Sequence, residues 1–118
     1  MEITLKIQTG NKIVDENKNE IDEIIDKTFV APFINGRKLK DTMSMASGID
    51  VNNINAEIID QMAAYIVDIY GKQFTIDEFY DGIEADKILS TFKECVDKVT
   101  GKLVNKSQQL EFLQGKNA

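Results

Sequence analysis

Histidine is absent from the 118 residues, and cysteine occurs once, as Cys95. The first absence removes the side chain best suited to proton transfer near neutral pH, and with it Ser-His-Asp, Cys-His and His-based zinc sites. A lone cysteine makes neither a structural zinc site nor an internal disulfide. At helical spacing Cys95 falls beside Val96 on an apolar stripe, which reads as a small core residue rather than a nucleophile. Asp77-Glu78-Phe79-Tyr80-Asp81-Gly82 places Asp and Gly at the fifth and sixth positions of a calcium loop begun at Asp77. Its third position is Phe79, however, and its twelfth is Ile88, where a bidentate Glu is required. Gly71-Lys72 and Gly101-Lys102 follow helical patterns instead of opening them, so the helix dipole opposes phosphate there. Neither phosphate-loop spacing occurs. Asn105-Lys106-Ser107 is a glycosylation sequon by letter only. The many carboxylates lie on polar helix faces, where solubility accounts for them. No catalytic, metal-binding or cofactor-binding residue is therefore expected.

Charge narrows the partners further. The net charge of −6 disfavours binding along a nucleic-acid backbone, which needs clustered Lys and Arg. Lys27, Arg37, Lys38 and Lys40 form a small basic island between acidic stretches, expected to pair with acidic parts of the same fold or of a neighbouring subunit. No run approaches the roughly 18 to 20 apolar residues of a membrane helix. Met1-Glu2-Ile3-Thr4-Leu5 lacks the basic-then-apolar order of a signal peptide, so a reducing cytoplasm is the expected compartment.

The elements that carry these residues follow from periodicity. Ile3, Leu5 and Ile7 alternate with polar residues as in a half-buried strand. Thr9-Gly10-Asn11-Lys12 supplies turn chemistry, Asp15 to Glu20 reads as a solvated loop, and Ile21, Ile24 and Ile25 sit at the spacing of one short helical turn. A second strand is expected over Lys27 to Ala31, ending near Pro32. From Asn35 the period becomes helical, with Asn35 as N-cap, an Ile34–Leu39 staple, Leu39, Met43 and Ala46 along one face, and Gly48 as the stop. Ile58, Ile59, Met62, Tyr65, Ile66 and Ile69 mark the clearest helix, ended by Gly71. Thr75 and Glu78 form a capping box flanked by the staple pair Phe74 and Phe79, and Gly82 closes that helix. A last helix is predicted over Glu84 to Thr100, with Ala85, Ile88, Leu89, Phe92, Val96 and Val99 inward and Glu94 and Lys98 paired outside.

The predicted fold is mainly α within the α+β class: a small N-terminal β-hairpin packed on a bundle of about four helices. Residues 1–101 are expected to form one globular domain, with the hairpin over 1–33 and the bundle over 34–101; residues 102–118 are expected to form a partly helical or frayed tail. Leu103, Leu110, Phe112 and Leu113 in that tail are the candidate partner-binding residues, because they lie beyond the core-forming helices; packing back onto the bundle is the alternative reading.

The segments TFVAPFINGRKLKDTM (Thr28 to Met43) and VDIYGKQFTIDEFYDGIEADKIL (Val67 to Leu89), with the N-terminal strand, resemble the tail assembly chaperones of long-tailed phages and prophages of Gram-positive bacteria. The similarity covers most of residues 1–101, and no part of it is a catalytic signature. The resemblance implies a non-enzymatic, cytoplasmic assembly factor, absent from the finished virion. Such a factor binds the tape measure protein, keeps it soluble, and helps tail tube subunits polymerise around it; self-association fits the same role. Members are often made in two lengths through a ribosomal frameshift, and the tail here fits the short form. Gln8 to Lys27 departs from the pattern, where a tighter hairpin is expected. Two other readings stand beside this one: a structural tail component retained in the virion, and a small acidic helical adaptor domain.

Overall fold

The structure is a computed structural model and describes residues 1–50 and 52–101. Two antiparallel strands, β1 (Glu2–Val14) and β2 (Glu20–Val30), lead into four helices: α1 (Gly36–Ser47), α2 (Ala56–Ile69), α3 (Ile76–Gly82) and α4 (Ile88–Thr100). One 3-10 turn, Ala85–Lys87, precedes α4, where a continuous helix from Glu84 is predicted. The expected class, a hairpin followed by about four helices, is the one observed.

The hairpin differs from expectation in length and in the place of its turn. Its reversal lies at Asp15 to Asn19, where the Asp15 carboxylate accepts the backbone N–H groups of Asn17 (2.9 Å) and Asn19 (2.8 Å). Ile21, Ile24 and Ile25 belong to β2 instead of a helical turn. Their spacing fits either period, and β-branched side chains with cross-strand partners favour the strand: Ile25 pairs with Ile7, and Ile21 with Ile13. The predicted turn at Thr9 to Lys12 is a bulge within β1. Gln8 opposes Ile24 and Lys12 opposes Asp22, so three residues face the single Glu23, and Gly10 takes the positive φ of 88° that the excursion requires.

The helices begin and end largely where local chemistry dictates. Asn35 Oδ1 accepts the Lys38 N–H at 3.1 Å, and Asn55 does the same for Ile58 at 2.9 Å. Thr75 and Glu78 close both halves of the capping box, at 3.0 and 2.9 Å. Gly71 and Gly101 end their helices at φ 70° and 60°. On α1 the inward residue is Thr42, not Met43, which is half exposed. Thr42 is accommodated because its hydroxyl reaches both the Lys38 carbonyl (2.6 Å) and the buried Tyr65 hydroxyl (2.8 Å). The predicted Glu94–Lys98 pair is not formed; among the described residues the ion pairs are Lys6–Asp26, Lys12–Asp22, Lys38–Asp68 and Lys87–Glu84.

The core lies between the near half of the hairpin and the helices. Ile3, Leu5 and Phe29 from one sheet face join Met62, Ile66, Tyr70, Phe74, Phe79, Phe92 and Cys95. Phe74 is the hub, with ring centroids 4.9 Å from Phe29, 5.8 Å from Tyr70 and 6.3 Å from its staple partner Phe79. Each such fully buried side chain contributes about 1.5–3 kcal/mol of transfer free energy. α3 packs directly on β1, α2 packs on α3 and α4, and α1 packs on α4.

Candidate protein-binding surface

The groups that sequence singles out for chemistry have structural roles. Cys95 is fully buried, and burial, with nearby Glu94 adding to it, pushes its thiol up to about 12, so it holds almost no thiolate near neutrality. Within the Asp77 to Gly82 segment, the Glu78 carboxylate accepts the Thr75 N–H and so serves the cap. Among the described residues no cluster of three or more His, Cys, Asp or Glu side chains could hold a metal ion. None of the described helices is long and apolar enough to cross a membrane. Tyr80 links α3 to α2 by donating to the Asp60 carboxylate; burial and then that bond push its phenol up to about 12.

What remains is surface, and among the described residues the hairpin carries six of the ten exposed large apolar side chains. Cross-strand partners share a sheet face, so the register sorts the side chains. Ile3 and Phe29, Leu5 and Lys27, Ile7 and Ile25, then Ile13 and Ile21 lie on one face. The near part of that face, Ile3, Leu5 and Phe29, is buried under the helices. Ile7 is half-buried at the margin of the core. Beyond it the face carries Ile13, Ile21 and Ile25, each 41 to 43 % exposed, with Glu23 between the last two. From Gln8 to Ile25 no residue is buried, and this stretch forms an arm.

The opposite face is held by polar cross-strand pairs: Thr4–Thr28 at 2.7 Å, Lys6–Asp26 at 3.0 Å and Lys12–Asp22. On the isoleucine face, Glu23 stands between Ile21 and Ile25 opposite the bulge and accepts the Thr9 hydroxyl at 2.7 Å. Such exposed pairs are individually weak, but together they fix the register of a two-stranded ribbon that is marginal alone. At the elbow between arm and α3 lies an open groove of about 390 Å³, lined by Lys6, Ile7, Gln8, Ile24, Glu78 and Asp81.

The basic island divides. Lys38 pairs with Asp68 on α2, and Lys27 lies over the Phe29 ring at 5.3 Å. Arg37 and Lys40 make no ion pair among the described residues.

The predicted binding residues Leu103, Leu110, Phe112 and Leu113 lie outside the described residues. The arm's Ile13, Ile21 and Ile25 escape sequence reasoning, because assigning Ile21, Ile24 and Ile25 to a helical turn hides that Ile21 and Ile25 share a sheet face with Ile13. The available signal was composition: β-branched Ile13-Val14 and Ile21, Ile24 and Ile25 flank a turn-forming Asp15-Glu16-Asn17.

A family profile described as phage tail chaperone protein matches residues 1–117. No curated protein and no solved structure matches the chain.

Proposed function

The chain belongs to the phage tail chaperone family, and from that premise we propose that it binds the tape measure protein and keeps it soluble while the tail tube assembles. The carrying observation is the set of exposed isoleucines on the arm, Ile13, Ile21 and Ile25, which continues the buried face past the helices and is interrupted by Glu23 at the bulge. A long, aggregation-prone helical client needs an apolar surface to replace its own unsatisfied one, offered by a body that does not itself aggregate. The net charge of −6 supplies the second requirement. An apolar stripe of a client helix laid along Ile7, Ile25, Ile13 and Ile21 would extend the helix-on-sheet layer that the protein already builds over Ile3, Leu5 and Phe29. This is binding without chemistry, in the cytoplasm of the bacterial host, by a protein that leaves before the virion is complete. The tail tube protein is a second partner in the same assembly.

The test is co-expression with the tape measure protein encoded in the same genome, scoring client solubility and co-elution on a sizing column. Soluble client travelling with the chain supports the reading. Client that stays insoluble, with the wild-type chaperone abundant and folded, refutes it. Truncation after Gly101 separates the two candidate surfaces: lost co-elution assigns the contact to Leu103, Leu110, Phe112 and Leu113, and retained co-elution that disappears in Ile13→Asn/Ile21→Asn assigns it to the arm.

A further inference from the structure

The two outer edges of the hairpin are not equivalent. The Asp15 N–H donates to the Asn19 carbonyl and the Ala31 N–H to the Met1 carbonyl, each at 3.0 Å. Bonded and non-bonded pairs alternate along an antiparallel ladder, so counting in twos from either end gives the same result. Odd-numbered residues of β2 bond to β1, while Glu20, Asp22, Ile24, Asp26, Thr28 and Val30 turn their backbone groups outward. The Val30 carbonyl follows this rule by accepting Gln73 Nε2 at 2.7 Å. The other five residues are exposed, and their N–H and C=O groups have no partner among the described residues. The β1 edge is protected by comparison: Gly82 of α3 lies close against the Lys6 backbone, and the bulge interrupts the edge at Gly10 and Asn11. β2 has neither a bulge nor a proline, so its edge is an open template for another strand.

We propose that Gln108 to Gln114 of the same chain pair with this edge as a third, antiparallel strand. Place, length and charge favour this occupant. Gln73 Nε2 also donates to the Tyr70 carbonyl at 2.7 Å, which ties the end of α2 to the end of β2. Burial first, then Cys95, Glu94 and Glu2, push the Tyr70 phenol upward, so α4 passes the same place at residues 94 and 95. Gly101 follows Cys95 by six residues, about 9 Å along the helix. Residues 102–118 lie outside the described residues, and they leave the body from this end of the hairpin. Extended, residues 102–107 reach about 20 Å, enough to arrive at Thr28. The seven residues 108–114 then match Asp22 to Thr28, about 23 Å of strand, in the direction antiparallel to β2. Residues 2–30 hold seven acids against four bases, whereas residues 102–118 hold Lys102, Lys106 and Lys116 against Glu111 alone. The β2 edge of a second copy would instead bring Glu20, Asp22, Glu23 and Asp26 against the same acids. A third strand closes the open edge and supports a ribbon that is marginal with two. It leaves the isoleucine face of the arm free, so it goes beyond client binding and does not depend on it.

Amide hydrogen exchange of the purified full chain, read residue by residue by NMR without any client, tests this. The inward amides of Ile21, Ile25 and Phe29 bond to β1 and serve as the internal reference. The outward amides of Asp22, Ile24 and Asp26 are expected to exchange at least about tenfold more slowly than in an unstructured chain. That protection should be the same at all protein concentrations. The full-length variant Leu110→Pro/Leu113→Pro removes donors from both faces of the added strand. It should return the outward amides to fast exchange and leave the inward ones and those of α2 unchanged. Outward amides that exchange freely in the wild type would overturn the proposal. Protection that vanishes on dilution would overturn it too, because a second copy then fills the edge, as would protection that survives both prolines.

Discussion

Replacing Gly82 with alanine should destabilise the fold far more than its position at the end of a short helix suggests. An ideal Cβ on Gly82 would stand 2.6 Å from the Lys6 carbonyl oxygen, 3.0 Å from Leu5 Cβ and 3.1 Å from the Lys6 nitrogen. Carbon–oxygen contacts of this kind relax at about 3.3–3.6 Å, so α3 must retreat from β1 by roughly 0.7 Å. Two of the three obstructing atoms are backbone, and Leu5 is fully buried, so no side-chain rotation relieves the clash. A gap of that size forfeits about a quarter to a half of each dispersion contact along the seam, and overpacking of this kind costs about 1–3 kcal/mol. The intrinsic helical preference for Ala over Gly returns at most about 1 kcal/mol. A net loss of about 1–2 kcal/mol should lower Tm by about 4–16 °C for a domain of this size. Circular dichroism melts and urea titrations read this directly. Gly36→Ala is the control, because its Cβ would meet nothing within 4 Å. If Gly82→Ala melts with the wild type while Gly36→Ala behaves as expected, the close seating of α3 on the hairpin is wrong, and so is the account of how the arm is anchored.

Other expectations are simpler. Thr75→Ala removes half of the capping box on a seven-residue helix and should cost about 1 kcal/mol by urea denaturation; an unchanged midpoint would count against the cap. The Tyr70 hydroxyl is buried without a hydrogen-bond partner among the described residues, so Tyr70→Phe should leave stability equal or up to about 1 kcal/mol higher. A marked fall in Tm would reveal an overlooked partner. Cys95 should resist thiol reagents at neutral pH until the protein unfolds. Its ordinary value near 9 is raised to about 12 in the fold, and Tyr65 is raised from 10 to about 12, mainly by burial. Both are acids favoured neutral in the native state, so the stability they contribute is intact below pH 9 and is lost as pH climbs from 9 towards 12. Urea midpoints that hold constant across that range would contradict the burial.

The helical half of this fold was legible because its signals are local. Asn35, the Thr75–Glu78 box and the positive-φ glycines at 71 and 101 do in the structure what their spacing implies. Gly82 was legible in place but not in cause: the letter suggests a helix stop, whereas the structure needs the missing Cβ for the approach to Lys6. Thr42 is absent from the predicted inward face of α1, because a hydroxyl reads as surface until Tyr65, 23 residues away, is known to face it. The arm was least legible. Gly10 and Asn11 carry turn chemistry, yet a bulge uses the same residues as a turn, and only the register with β2 distinguishes them. Once the turn was placed at residues 9–12, the isoleucines beyond it lost their strand partners, and with them the binding surface. The predicted tail contacts at Leu103, Leu110, Phe112 and Leu113 rest on sequence alone.

The bulge also sets a parity rule on inheritance. It contains two more residues than the strand it faces, and an even surplus leaves every side chain beyond it on its original side. Loss of the pair Gly10-Asn11 would shorten the arm and straighten it, with Ile13 still in line with Ile7. Loss of either residue alone would turn Ile13 and Val14 over, bringing a lysine and a valine to the client face and sending the isoleucine to the back. Related chaperones that keep this arm should therefore differ in its length by twos, and an odd difference should be accompanied by a shifted run of isoleucines.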